Sequence, residues 1–156
     1  MALEIERKFL VRGEFKHLAS KHERIIQGYL PSYASENTIR IRQKGEKAFI
    51  TIKGQSSEDG TTRVEWEKEI SMEDAENLFK LCEPDRIDKI RYYVPVGKFT
   101  FEVDVFSGDN EGLILAEIEL NSPDEPFEKP QWLGKEVTGS IRYYNSQLIK
   151  YPFSKW

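Results

Sequence analysis

Ionic and apolar side chains alternate along most of this chain, and the opening Leu3-Glu4-Ile5-Glu6-Arg7-Lys8-Phe9 sets the phase. On an extended strand successive residues face opposite ways, so Glu4, Glu6 and Lys8 share one face, spaced about 7 Å apart, and Ile5, Arg7 and Phe9 share the other. The alternation returns in Thr38-Ile39-Arg40-Ile41-Arg42, Ile50-Thr51-Ile52-Lys53, Arg63-Val64-Glu65-Trp66-Glu67, Lys89-Ile90-Arg91, Phe101-Glu102-Val103-Asp104-Val105 and Ala116-Glu117-Ile118-Glu119-Leu120. Period-two runs bounded by Gly, Pro, Asn and Asp predict eight strands, near 2–11, 23–31, 37–44, 47–54, 62–70, 86–96, 98–107 and 113–121. Short connectors such as Gly45-Glu46 and Val96-Gly97-Lys98 imply antiparallel neighbours. Three helices complete the prediction. One is a short segment over 13–21. A second is capped by Ser71, with Asp74 three residues on, and is stopped by Pro84. The third runs from about 140 to 150.

Composition narrows the class. The 156 residues suit one domain spanning 1–156 with a real core, and 12 % aromatics argue against disorder. A net charge of −4 points to neither nucleic acid nor an anionic membrane, although a local basic site remains compatible with it. With Cys82 alone, an intrachain disulfide and a multi-cysteine metal site are excluded. Charges from Glu4 onward leave no room for a signal peptide, and no apolar stretch is long enough to span a bilayer, so a cytoplasmic protein is expected. His17 and His22 read as solvent-exposed, Lys135 as a surface lysine, and Trp66 and Trp132 as packing residues. Trp156 reads as terminal docking or disorder, and aromatics such as Phe153 and Trp156, where exposed, permit a homodimer without requiring one.

A single strand with a charged face is an ordinary solvated strand. Several in one sheet demand more, because the apolar faces need cover and the charged faces must either lie open or turn toward one another. Eight antiparallel strands can close into a barrel, which also removes the sheet edges. A charged lining is tolerable when both signs pair and water, metal or ligand fills the space. The expected fold is therefore α+β, mainly β: a closed eight-stranded antiparallel barrel with a few flanking helices. The Glu-x-Glu pairs of the first and eighth strands offer oxygen ligands alone, which suits Mg²⁺ or Mn²⁺ over Zn²⁺. The Arg and Lys pairs suit an oxyanion with several phosphoryl groups. No glycine-rich phosphate loop is present, so side chains must do that binding.

Taken in order, Glu4-x-Glu6-x-Lys8, Arg40-x-Arg42, Thr51-x-Lys53, Arg63-x-Glu65-x-Glu67, Lys89-x-Arg91, Glu102-x-Asp104 and Glu117-x-Glu119 resemble the CYTH superfamily, the triphosphate tunnel metalloenzymes. The stretch Gly134–Thr138, with Arg142-Tyr143-Tyr144-Asn145, is similar to the end of short bacterial members. The resemblance implies an eight-stranded tunnel acting on a small-molecule triphosphate with divalent metal. Carried over by motif, Glu4, Glu6, Glu117 and Glu119 bind metal, with Asp104 either joining them or, like Glu102, supporting the lining cations. Lys8, Arg40, Arg42, Lys53, Arg63, Lys89 and Arg91 bind phosphates. Glu4, Glu6, Lys8, Lys89 and Tyr29 are the candidate catalytic groups, Glu4 or Glu6 taking the proton of the attacking water. Tyr29 equally reads as a packed strand aromatic. Inorganic tripolyphosphate is the leading substrate implied. Class IV adenylate cyclase, thiamine or nucleoside triphosphatase and non-catalytic triphosphate binder are the alternatives. Where relatives often carry acidic residues after Val-Thr, this chain has Gly139-Ser140-Ile141.

Overall fold

A computed structural model describes residues 2–32 and 37–156. Nine antiparallel strands form one sheet: β1 (Ala2–Val11), β2 (Lys21–Leu30), β3 (Thr38–Lys44), β4 (Lys47–Lys53), β5 (Thr62–Ile70), β6 (Ile87–Val96), β7 (Phe99–Phe106), β8 (Ile114–Glu119) and β9 (Leu133–Glu136). Their order is β5-β4-β3-β2-β6-β7-β8-β1-β9, and a β5–β1 pairing closes the first eight into a barrel. The expected barrel is thus present, and β9 is an addition. Its four residues carry too little alternation to read as a strand, and β1 recruits it. The N-terminal half of β1 pairs with β5 through Ala2–Ile5, whereas Phe9 and Val11 pair with β9. Where β5 leaves β1, β9 takes its place.

The predicted helix over 13–21 is absent: a single 3₁₀ turn, Lys16–Leu18, precedes β2, which already starts at Lys21. The edge of the barrel claims those residues. Helix α1 (Met72–Phe79) forms where the capping pattern placed it, with the Ser71 hydroxyl accepting from Asp74 N at 3.0 Å. Removing that acceptor in Ser71→Ala is expected to cost about 1 kcal/mol in urea denaturation. The third helix is shorter than expected. A 3₁₀ turn, Ile141–Tyr143, is followed by α2 (Asn145–Lys150).

Outward-facing apolar residues are covered in two regions. Phe9, Val94, Phe101, Val103, Ala116 and Ile118 pack under Phe15, Trp132 and Leu133, and α1 covers Ile41 and Ala48. A third region stays open. Leu3 lies opposite Val64 and Ile52 opposite Trp66, and all four are exposed, Trp66 at 39 %. Trp66 is therefore not the core residue expected, whereas Trp132 is. His17, His22 and Lys135 are exposed as expected. Phe153 and Trp156 instead pack on each other, with Tyr143 also against Trp156, so these aromatics belong to their own chain's fold. Among the described residues no helix is long and apolar enough to cross a membrane.

Candidate active site

Strand register determines which ionic groups meet. Alternate residues of each strand face the barrel axis, and the pairings Lys8↔Glu117, Glu102↔Glu117, Arg91↔Asp104, Gln27↔Arg42, Tyr29↔Arg40, Arg40↔Thr51, Thr51↔Glu67 and Lys53↔Glu65 set these side chains side by side. Together they enclose a cavity of about 280 Å³, which the family-derived candidates line, apart from Asp104. Among the described residues its wall has eight cationic side chains and seven carboxylates.

At one end of the barrel the inward positions become apolar. Ile87, Phe106 and Leu115 sit there, and Leu148 and Ile149 of α2 pack onto them. This plug brings Tyr144, Asn145 and Ser146 to the cavity wall. Beside α2 a second cavity, about 660 Å³, shares Tyr29, Thr38, Ser56, Gly60, Arg63, Gly139, Tyr144 and Ser146 with the first. The loop after β4 closes against the C-terminal segment at Gly60, whose φ is +77°. A Cβ on Gly60 would lie 2.3 Å from the Gly139 Cα. Gly139 therefore permits a close backbone contact.

The lining cations fall into two groups. The first is already ion-paired with carboxylates. Arg91 donates Nε and Nη2 to Asp104 and Nη1 to Glu102, each at 2.8–2.9 Å. Lys89, 1 % exposed, sits 2.7 Å from Asp104 Oδ2, the oxygen that also accepts from Arg91 Nη2. Lys53 Nζ lies 2.7 Å and 3.0 Å from the two Glu4 oxygens. The second group has spare capacity. Arg40 is buried with its Nε unpartnered, bonded through Nη2 to Thr51, with Glu67 3.5 Å away. Arg42 gives its Nε to the uncharged Gln27 at 2.9 Å. Burial, then the positive charges of Arg40 and Arg91, lower the Arg42 pKa to about 10. Lys8 reaches the Tyr143 carbonyl at 3.3 Å and stands 3.9 Å from Glu117. Arg63 is occupied by the Gly54 carbonyl at 2.7 Å and Thr38. Tyr29 is half-buried, its hydroxyl accepting from Gln27.

The carboxylates show the complementary shortage. Burial and the Glu117 charge raise Glu6 well above the ordinary range. Glu65, hydrogen-bonded to Glu4 and partly buried, rises to about 7. Burial opposes ionisation of Glu4 and Glu117 as well. The Glu65 hydrogen bond and Lys53 reverse this for Glu4, and Lys8 with the Glu6 hydrogen bond does so for Glu117, leaving both below the ordinary range. Glu119 is at the exposed rim, raised by burial and by Glu4. Asp104 does not line the cavity, is 0 % exposed, and is held between Lys89 and Arg91. Of its two expected roles, this placement matches the support of lining cations. Gln27, Thr138 and Asn145 join the site beyond the residues that the sequence motifs name. Gln27 shares Tyr29's face two residues away and was legible in that respect, but Asn145 reaches the site only through tertiary packing.

The CYTH domain model matches residues 2–150. This chain belongs to the CYTH family. Two relatives cover nearly all of it: an inorganic triphosphatase of Acetivibrio thermocellus, 41 % identical over 100 % of this chain and 99 % of its own, and one of Nitrosomonas europaea, 39 % identical over 93 % and 95 %. A solved inorganic triphosphatase structure superposes with a TM-score of 0.64 at 35 % identity, covering 96 % of this chain and 95 % of that one. CYTH membership implies a divalent metal. The donor set fits one. It consists of carboxylate oxygens, and Glu6 is crowded by Glu4 and Glu117. Among the described residues no three carboxylates converge on one point as they stand. Lys53 occupies Glu4, so receiving an ion requires these side chains to shift.

Proposed function

We propose that this CYTH protein hydrolyses inorganic tripolyphosphate to pyrophosphate and phosphate. The observation that carries the reading is the Arg40–Arg42 pair: two guanidiniums on one strand, Arg40 buried and Arg42 half-buried, facing the cavity, neither fully neutralised by a carboxylate. Such a pair is costly unless an anion completes it, and the planar fork matches phosphoryl oxygens. Glu4, Glu6, Glu117 and Glu119 would hold Mg²⁺ or Mn²⁺, which supplies charge neutralisation on the bridging and terminal oxygens. Arg40 and Arg42 grip one end of the phosphate chain. Lys8 and Lys89 offset charge along it, with Lys53, Arg63 and Arg91 at the same wall. Phosphoryl transfer depends mainly on such positioning and electrostatic stabilisation. Water attacks a terminal phosphorus, one P–O–P bridge breaks, the bridging oxygen leaves with pyrophosphate, and the water proton passes to Glu4 or Glu6. The whole of 1–156 acts as one unit in this scheme.

Purified protein incubated with Mg²⁺ or Mn²⁺ and either tripolyphosphate or ATP distinguishes the readings. Resolving phosphate, pyrophosphate, ADP and cyclic AMP should show pyrophosphate and phosphate in equal amounts from tripolyphosphate. Cyclic AMP as the main product of ATP, with tripolyphosphate untouched, overturns the proposal. Turnover of neither substrate makes the protein a binder.

A further inference from the structure

We propose that Asn145 is a positioning residue that holds Lys89 with one ammonium hydrogen directed into the cavity. The inference rests on the triphosphatase reading for its functional meaning and on the structure for its geometry. Lys89 is wholly enclosed, and its ammonium has three hydrogens to place. Asp104 Oδ2 lies at 2.7 Å and Asn145 Oδ1 accepts at 2.9 Å. The third hydrogen is left for the cavity that Lys89 lines. With Asp104 alone the ammonium can rotate about Cε–Nζ and be drawn toward the carboxylate; a second acceptor fixes its orientation.

Neighbouring groups dictate that Asn145 presents its oxygen. Gln27 Oε1 accepts from Arg42 Nε at 2.9 Å, so Gln27 must turn its amide nitrogen the other way. That nitrogen donates to the Tyr29 hydroxyl at 2.9 Å and to Asn145 Oδ1 at 3.2 Å. Asn145 therefore faces two donors, Lys89 and Gln27, and only its carbonyl oxygen satisfies both. Through it the placement of Lys89 is tied to that of Arg42. The tether crosses from the C-terminal segment to β6. The plug formed by Leu148 and Ile149 anchors it, and Arg142 stacks 3.7 Å from the Trp156 ring.

A double-mutant cycle on the full chain tests this. With tripolyphosphate and Mg²⁺, Asn145→Ala should lower kcat/KM by roughly 10- to 100-fold, as expected for losing a hydrogen bond to a charged group. In a Lys89→Met background the same change should cost less than about twofold. Equal losses in both backgrounds, or a loss under about threefold in the parent, overturn the proposal, provided thermal melting shows all variants folded. A second readout needs no turnover. In a ¹⁵N lysine-ammonium spectrum at pH 6, the Lys89 signal, assigned by its loss in Lys89→Met, should be sharp in the parent. It should broaden in Asn145→Ala and survive in Asn145→Asp, which keeps the acceptor oxygen. A signal unchanged in Asn145→Ala refutes the tether. A parent without tripolyphosphate turnover refutes the substrate reading and leaves this spectrum to decide the role of Asn145.

Discussion

Asp104→Asn is expected to destabilise the fold by about 3–5 kcal/mol, the cost of leaving a buried charge unpaired. Asp104 is 0 % exposed and the common partner of Arg91 and Lys89, so neutralising it leaves buried Lys89 without a carboxylate and Arg91 with Glu102 alone. The new amide would also turn a donor toward one of them. For a chain of this size the loss corresponds to a fall in Tm of roughly 6–20 °C. Urea denaturation should show a lower midpoint at unchanged slope. The pH dependence gives an independent check. Burial raises the Asp104 pKa, but Arg91 and then Lys89 bring it below the ordinary carboxylate value. A carboxyl depressed in the folded state contributes stability above its unfolded pKa and loses it as pH falls through the folded value. The gap between parent and variant should therefore be full at pH 7 and narrow in strong acid. A loss under about 1 kcal/mol at pH 7 contradicts this account.

The largest effect on activity is expected from Glu117→Gln. Glu117 is buried between Glu6 and Lys8, and the charged groups that act on it, Lys8, Glu6, Arg91 and Lys89, all line the cavity. Losing its charge leaves Lys8 without its carboxylate partner and removes one oxygen ligand of the proposed metal cage. Hydrolysis of tripolyphosphate should fall at least about a hundredfold, beyond what loss of an outer partner of a metal ligand usually costs. Mn²⁺ affinity, followed by titration calorimetry, should weaken in step. Glu119→Gln should have the smaller effect of the two, because Glu119 stands at the exposed rim. Wild-type Mn²⁺ affinity in Glu117→Gln removes that residue from the metal site, whatever the activity.

The barrel and most of its lining are legible in the sequence because both follow from a period of two. Once Glu4, Arg40, Lys53, Glu65 and Glu117 share a phase with their strands, closing the sheet brings them together. What alternation does not carry is the division of labour among the cations. Arg91 and Arg42 look alike in sequence, yet one is saturated by Asp104 and Glu102 whereas the other meets only an amide. That difference depends on which strand lies next door. Asp104 of β7 is registered opposite Arg91, whereas Gln27 of β2 and Phe49 of β4 stand opposite Arg42. Strand β9 and Asn145 escape for a similar reason, their positions being set by β1 and by the α2 plug.

The split pairing of β1 also bears on how the protein comes into being. The strand synthesised first has all its partners far along the chain: Thr62–Glu65 of β5, Leu115–Glu119 of β8, and Leu133 and Glu136 of β9. During translation the first strand can find no sheet neighbour until β5 emerges, and the barrel cannot close until β8 does. Such non-local closure makes for slow folding. Until then the N-terminal strand is an unpaired edge with Leu3, Ile5 and Phe9 along one face, the kind of surface that chaperones hold and that aggregates when they do not. A refolding experiment on the full chain should find β1 among the last segments to gain protection from hydrogen exchange.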